Sequence, residues 1–201
     1  MSDRLGRAQL ARAALRLART GLPPLVLMTD DERLSDPMGA AAALPRGSMV
    51  VVRARDSKTR ALLGEAMLKL ARKRGLVVLI AGDTPLAAWL GADGIHLAEA
   101  SATKAMHWRA RYPSMIITTS AHTLRAAMRA RALPVDAIFL SPVFATRSHP
   151  DGKPLTAMRA IFVARTIATP VYALGGITAQ NAKLLANDVF AGIAAIGALA
   201  F

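Results

Sequence analysis

The chain has 201 residues, a hydrophobic fraction of 53% and no cysteine. It can bury one substantial core as a single domain, and it has no means of building a disulfide framework, a thiolate nucleophile or a cysteine metal site. A formal net charge of +13 and a pI near 11.4 attract anions of some kind. With aromatics at 4% and neither tryptophan in a basic cluster, base stacking has no obvious platform.

In chain order the first element is helical. Residues 4–19 hold five arginines; at 100° per residue Arg12, Arg16 and Arg19 share one face, and Leu10, Ala13, Ala14 and Leu17 the other. This predicts a basic amphipathic helix within residues 1–20, packed on the domain. Arg-rich helices also serve at membrane surfaces, on nucleic acid and in targeting. No apolar run approaches the roughly 20 residues of a bilayer span, and the N-terminus lacks the apolar core of a secretory signal, so a soluble cytoplasmic protein is expected.

Apolar, β-branched-rich runs of strand length follow at 25–30, 48–53, 76–81, 94–98, 115–120, 136–141, 170–174 and 192–197. Between most of them lie helical patterns, at 57–74, 84–90, 102–111, 123–132, 155–167 and 178–187. Strands that are apolar on both faces and alternate with helices predict a parallel sheet under a helical layer. Eight of them in 201 residues predict a closed (β/α)₈ barrel as one domain over 1–201. An open doubly wound sheet would need a phosphate fingerprint after the first strand, and "LMTDDERLSDP" has no glycine there. The eighth run ends within a few residues of Phe201, which leaves no C-terminal helix to cover it. Strands one and eight are neighbours in a closed barrel, so the N-terminal helix is expected to fill that groove.

Barrel chemistry sits at the C-terminal ends of strands. The residues there are Thr29 and Asp30, Arg53 and Arg55, Gly82 and Asp83, His96 and Glu99, Ser120 and His122, Thr146 to His149, Gly175 and Gly176, and Ile196 and Gly197. The set is cationic and small, which suits a phosphorylated ligand. Gly175 and Gly176 allow positive φ and consecutive exposed N–H groups, an anion nest, although a tight turn needs the same glycines. "AIGA" after strand eight supplies a second small-residue loop, and barrels commonly hold phosphate between these two loops.

"ALGGIT" followed by "AGIAAIGAL", with "GADGIHL" at 91–97, "SAHT" at 120–123 and "DAIFLSPVFATRSH" at 136–149, resembles the thiamine phosphate synthase family, which includes the related thiazole tautomerases. The resemblance runs in order from about Leu25 to Leu199. It implies a (β/α)₈ barrel of thiamine biosynthesis. A synthase joins a hydroxymethylpyrimidine diphosphate to thiazole phosphate and releases pyrophosphate with Mg²⁺; a tautomerase aromatises the thiazole phosphate precursor by proton transfer.

Carried over by position, the resemblance puts the thiazole phosphate cradle on Gly175, Gly176, Ile196 and Gly197. The family's Gln, Arg and Lys after strand two become Val51, Arg53 and Arg55, and its threonine-rich loop ending in Lys becomes Thr146, Arg147, Ser148 and His149, with Lys153 nearby. The family's magnesium aspartates fall on Gly82 and Ser101, so the nearest carboxylates, Asp83 and Glu99, are the expected ligands of a shifted Mg²⁺ site. Asp83 also reads as a helix N-cap and Glu99 as a solvated loop carboxylate.

The resemblance thus implies a synthase with Ser120, His122, Arg53 and Arg55 as catalytic residues. Synthase comes first because the two arginines have no use in a tautomerase confined to one phosphate. The alternatives are a tautomerase acting through His122, whose imidazole suits acid and base work near neutrality, and a barrel that binds thiazole phosphate or thiamine phosphate without turnover. His96 alternates with Ile95 and Leu97 and is expected to point into the barrel as a structural histidine. Small phosphorylated molecules are the expected partners, a homo-oligomer is compatible with the pattern, and nucleic acid would require the arginines of 4–19 and "RKR" at 72–74 to cluster on one face.

Overall fold

The computed structural model describes residues 2–17, 20–146, 153–185 and 189–199. Eight parallel strands close into a barrel in sequential order. They are β1 (Leu25–Met28), β2 (Met49–Val52), β3 (Val77–Ala81), β4 (Gly94–Leu97), β5 (Ile116–Ala121), β6 (Ala137–Leu140), β7 (Val171–Leu174) and β8 (Gly192–Ala195). The ring closes where β1 pairs with β8, Leu25 opposite Ile193 and Leu27 opposite Ala195.

Each strand is short and buried on both sides, as parallel strands beneath helices must be. Alternate residues face the barrel interior: Val26 and Met28, Met49 and Val51, Leu79 and Ala81, Phe139, Tyr172 and Leu174, and Ala194 form one cluster. Their neighbours, including Leu27, Val50, Ile80, Ile95, Ile138 and Ile193, join the helices in a second. Inside, Phe139 stacks on Tyr172 at 4.8 Å and meets His96 edge-on at 4.9 Å. The Tyr172 hydroxyl donates to the Pro23 carbonyl at 2.7 Å, and burial pushes its ionisation upward.

The seven described helices are α1 (Ser2–Leu17), α2 (Pro37–Ala42), α3 (Ser57–Arg74), α4 (Thr84–Leu90), α5 (Ala105–Arg111), α6 (Leu124–Ala130) and α7 (Ala157–Thr166). Local chemistry marks their ends. Asp56 caps α3 through the Thr59 N–H, Thr123 caps α6 through the Ala126 N–H, and Gly75 and Gly91 close α3 and α4 in left-handed conformation.

The N-terminal helix lies where it was expected. α1 packs against β8, β1 and the 3-10 turns Asn181–Leu184 and Gly197–Leu199. Leu10, Ala14 and Leu17 are buried at its contact face, while Arg12 and Arg16 stay in solvent. Each buried leucine contributes about 1.5–3 kcal/mol by leaving water.

Three expectations change in detail. Among the described residues of the helical pattern at 178–187 the chain forms a 3-10 turn, Asn181–Leu184, because Asn181 folds back on Thr178 and on the Gly176 carbonyl. The pattern at 102–111 divides into a 3-10 turn, Glu99–Lys104, and α5. The short α2, capped by Asp36 with Pro37 in its first turn, was not anticipated. Among the described residues no helix is long and apolar enough to cross a membrane.

Candidate active site

The inward alternation of the strands carries polar side chains up to the barrel mouth. After Val26 and Met28 comes Asp30, and after Met49 and Val51 comes Arg53. The Thr29 hydroxyl donates to the Arg53 carbonyl at 2.9 Å and accepts the Arg53 N–H at 2.8 Å, tying the two strand ends together. Asp30 is only 7% exposed and pairs with Arg33 at 2.6 Å and Arg53 at 2.9 Å. Burial opposes ionisation of Asp30, but the hydrogen bond and charge of Arg33, then the charge of Arg53, hold its carboxyl below the ordinary value. Arg55, 80% exposed, pairs with Glu32 at 2.6 Å, and its N–H donates to Asp31 at 2.8 Å. The two arginines expected to face an anion therefore already meet the three acids that follow β1.

Across the mouth, β4 and β5 bring His96 and Ser120 together. His96 is fully enclosed, with Nδ1 2.9 Å from Thr118 Oγ1 and Nε2 2.9 Å from Ser120 Oγ. Thr118 donates its own hydrogen to the Ile95 carbonyl at 3.3 Å, so its oxygen accepts from Nδ1–H and Nε2 accepts from Ser120. Burial, helped by the positive charges of Arg53 and His122, lowers the His96 pKa to about 4. The imidazole is neutral at physiological pH and fixes the Ser120 hydroxyl rotor.

At the rim, one carboxylate gathers three donors. Glu99 Oε2 accepts from the His122 backbone N–H and from His122 Nδ1, both at 2.9 Å, and Oε1 pairs with Arg129 of α6 at 3.1 Å. Desolvation opposes ionisation of Glu99, while His122 and Arg129 favour it and bring its pKa below the usual glutamate value. Because a carboxylate only accepts, neutral His122 carries its hydrogen on Nδ1, and Nε2 has no partner among the described residues.

On the opposite side lie the glycine loops. Gly175 and Gly176 adopt φ of 93° and 64°. A Cβ on Gly175 would come within 2.8 Å of Pro142 Cα, and one on Gly176 would strike the Ala145 and Phe144 carbonyls. The loop after β6 is drawn onto them by Val143 N–H to the Leu174 carbonyl at 2.9 Å and Phe144 N–H to the Gly175 carbonyl at 3.0 Å. Among the described residues the N–H groups of Gly176 and Gly197 have no acceptor. Ile196 and the exposed Gly197 follow β8 directly, and Thr146 is half-buried at the end of the described β6 loop. Ser148 and His149, expected to help hold phosphate, and Arg147 lie outside the described residues, as does Arg19.

The carboxylates expected to hold Mg²⁺ do not fit a metal. Asp83 is the N-cap of α4, with Oδ1 accepting the Leu86 N–H at 3.0 Å and Oδ2 3.5 Å from Arg60. Both oxygens of Glu99 are taken by His122 and Arg129, and those of Asp30 by arginines. No group of three or more His, Cys, Asp or Glu among the described residues could hold a metal ion. Mg²⁺ needs hard anionic oxygens that are free to coordinate, and here neighbouring donors and cations take them.

A family model described as thiamine monophosphate synthase matches residues 25–199. The chain belongs to this thiamine monophosphate synthase family. An Aquifex aeolicus relative, whose name thiamine-phosphate synthase 2 is a provisional one, is 34% identical over 87% of this chain and 96% of its own length. A thiamine-phosphate synthase of Bacillus velezensis is 27% identical over 94% of this chain and 88% of its own. The fold is also that of a thiamine phosphate pyrophosphorylase from Pyrococcus furiosus, with a TM-score of 0.71 at 22% identity over 90% and 86% of the two chains. Within this family fold, sequence reading located the mouth but missed Arg33, Arg60 and Arg129. The partners of Arg60 and Arg129 lie in other elements, where no local pattern announces the pairs, while Arg33 pairs with Asp30 three residues before it in the same loop.

Proposed function

We propose that this member of the thiamine monophosphate synthase family joins a hydroxymethylpyrimidine diphosphate to thiazole phosphate. The thiazole ring nitrogen bonds to the pyrimidine methylene carbon, whose bond to the diphosphate oxygen breaks with release of pyrophosphate. The observation that carries the reading is the glycine cradle after β7 and β8, where the Gly176 and Gly197 N–H groups have no acceptor among the described residues and Gly175 and Gly176 have positive φ, which suits the thiazole phosphate. Gly175, Gly176, Ile196 and Gly197 hold that phosphate from the backbone, with Thr146, Ser148 and His149 as further donors to it. Arg53 and Arg55 take the diphosphate by exchanging Asp30 and Glu32 for phosphate oxygens. The exposed Arg55 to Glu32 pair is worth about 1 kcal/mol or less, so that half of the exchange costs little, and the buried Asp30 keeps Arg33 as its partner when Arg53 turns to the phosphate. Ser120, oriented by His96 at the end of β5, contacts the reacting heterocycles. Charge stabilisation of the departing pyrophosphate is given to the arginines, and no step is assigned to Mg²⁺.

A second reading rests on the Glu99 to His122 bond. An imidazole with one nitrogen bonded to a carboxylate and the other free is built for proton transfer, which would serve thiazole tautomerisation. The deciding assay supplies both substrates and measures thiamine phosphate and pyrophosphate. Equal release of the two, lost in Gly176→Asp, is the expected result. Tight thiazole phosphate binding without product would refute the synthase reading and leave tautomerisation or binding alone.

A further inference from the structure

We infer that Glu99 is a positioning residue for His122, setting its Nδ1–H tautomer and presenting Nε2 to the barrel mouth as the proton-accepting atom. The inference rests on the reading in which His122 moves a proton, and it adds the residue that makes this imidazole competent. An unconstrained histidine side chain favours the Nε2–H form; here the Nδ1 contact with Glu99 reverses that choice and two further contacts hold the carboxylate in place. Glu99 Oε2 binds both the backbone N–H and Nδ1 of the same histidine at 2.9 Å, which pins the ring to the strand end as well as choosing the tautomer. Arg129 holds the second oxygen at 3.1 Å, so the carboxylate cannot swing away without losing an ion pair. Glu99 stands at the start of its 3-10 turn, His122 directly after β5, and Arg129 in the last turn of α6, so three elements fix the unit. The Glu99 side chain is 29% exposed and that of His122 is 48% exposed, so the carboxylate is the sheltered partner and the imidazole the accessible one. A carboxylate that orients imidazole and stabilises its protonated form is a general device for acid–base work.

The test combines imidazole ¹⁵N NMR with kinetics on the non-aromatic thiazole phosphate precursor, using the full chain. Wild-type His122 is expected to show the Nδ1–H tautomer, which should turn over to mainly Nε2–H in Glu99→Ala and persist in Glu99→Gln, whose amide oxygen still accepts from Nδ1. In Glu99→Ala kcat should fall roughly tenfold with KM unchanged, a part of the 10²–10⁴-fold that positioned acid–base groups supply, and Glu99→Gln should recover most of it. A general folding defect would not restore with glutamine, nor would it change a tautomer. An Nε2–H imidazole in the wild type, or a Glu99→Ala protein that keeps Nδ1–H, overturns the inference while leaving His122 free to act. His122→Ala turning over at the wild-type rate overturns the proton-transfer reading and the inference with it.

Discussion

Acid should loosen this barrel through His96 before it reaches the carboxylates of the mouth. The imidazole is enclosed between Thr118, Ser120 and Phe139, and its folded pKa is about 4 against the ordinary histidine value of 6.5. Below about pH 6.5 the unfolded chain binds a proton at this position that the folded barrel refuses until about pH 4, so stability is level above the window and falls as pH drops through it. A gap of about 2.5 pH units, at about 1.4 kcal/mol each, removes about 3 kcal/mol by pH 4. Asp30 and Glu99 act in a lower window: their folded pKa values are depressed, so the stability they add is present above the ordinary carboxylate range and fades only below it. Urea unfolding between about pH 7 and pH 4.5 measures the slope. His96→Gln, whose amide can accept from Ser120 and donate to Thr118, is expected to flatten it. Equal slopes in the two proteins, or an NMR titration of His96 centred near pH 6.5, would refute the reasoning.

Leu17→Ala should cost about 2–4 kcal/mol in urea unfolding, because it opens a cavity where α1 covers the barrel; a loss under about 0.5 kcal/mol would mean that the helix is not docked. Calorimetric titration of the protein alone with MgCl₂ should give no saturable heat, since Asp30, Asp83 and Glu99 are already paired with cations. Saturable binding abolished by Asp83→Asn would show that these carboxylates exchange their partners for metal.

Much of the fold was legible because each strand is apolar on both faces and short. The eight runs coincide with the eight strands to within two residues at either end. The exceptions have local causes: "PMGAAA" has too little apolar contrast to announce α2, and at Thr178 and Asn181 reciprocal side-chain bonds close a turn where periodicity suggests a longer helix. In the site, the glycines of the cradle were readable from their position after β7. What reading could not supply was partnership. Glu99 and Arg129 are 30 residues apart and Asp30 and Arg53 are 23 apart. Both acids sit at strand ends where a metal or a substrate cation would be equally at home. Only the barrel's closure decides which cation reaches them.

Going round the ring, the helix against the seam between β8 and β1 is one that precedes β1 in the chain, so the seam is covered by an element made before any strand. Circular permutation should therefore be gentle here. A gene that starts at residue 20, runs through β8 and returns by a short linker into 2–17 would lay the same helix into the same groove, with the cut moved to the segment between α1 and β1. Such a permutant would also make its seam cover last, after β8 has closed the ring, rather than carrying the apolar face of Leu10, Ala14 and Leu17 uncovered through the synthesis of every strand.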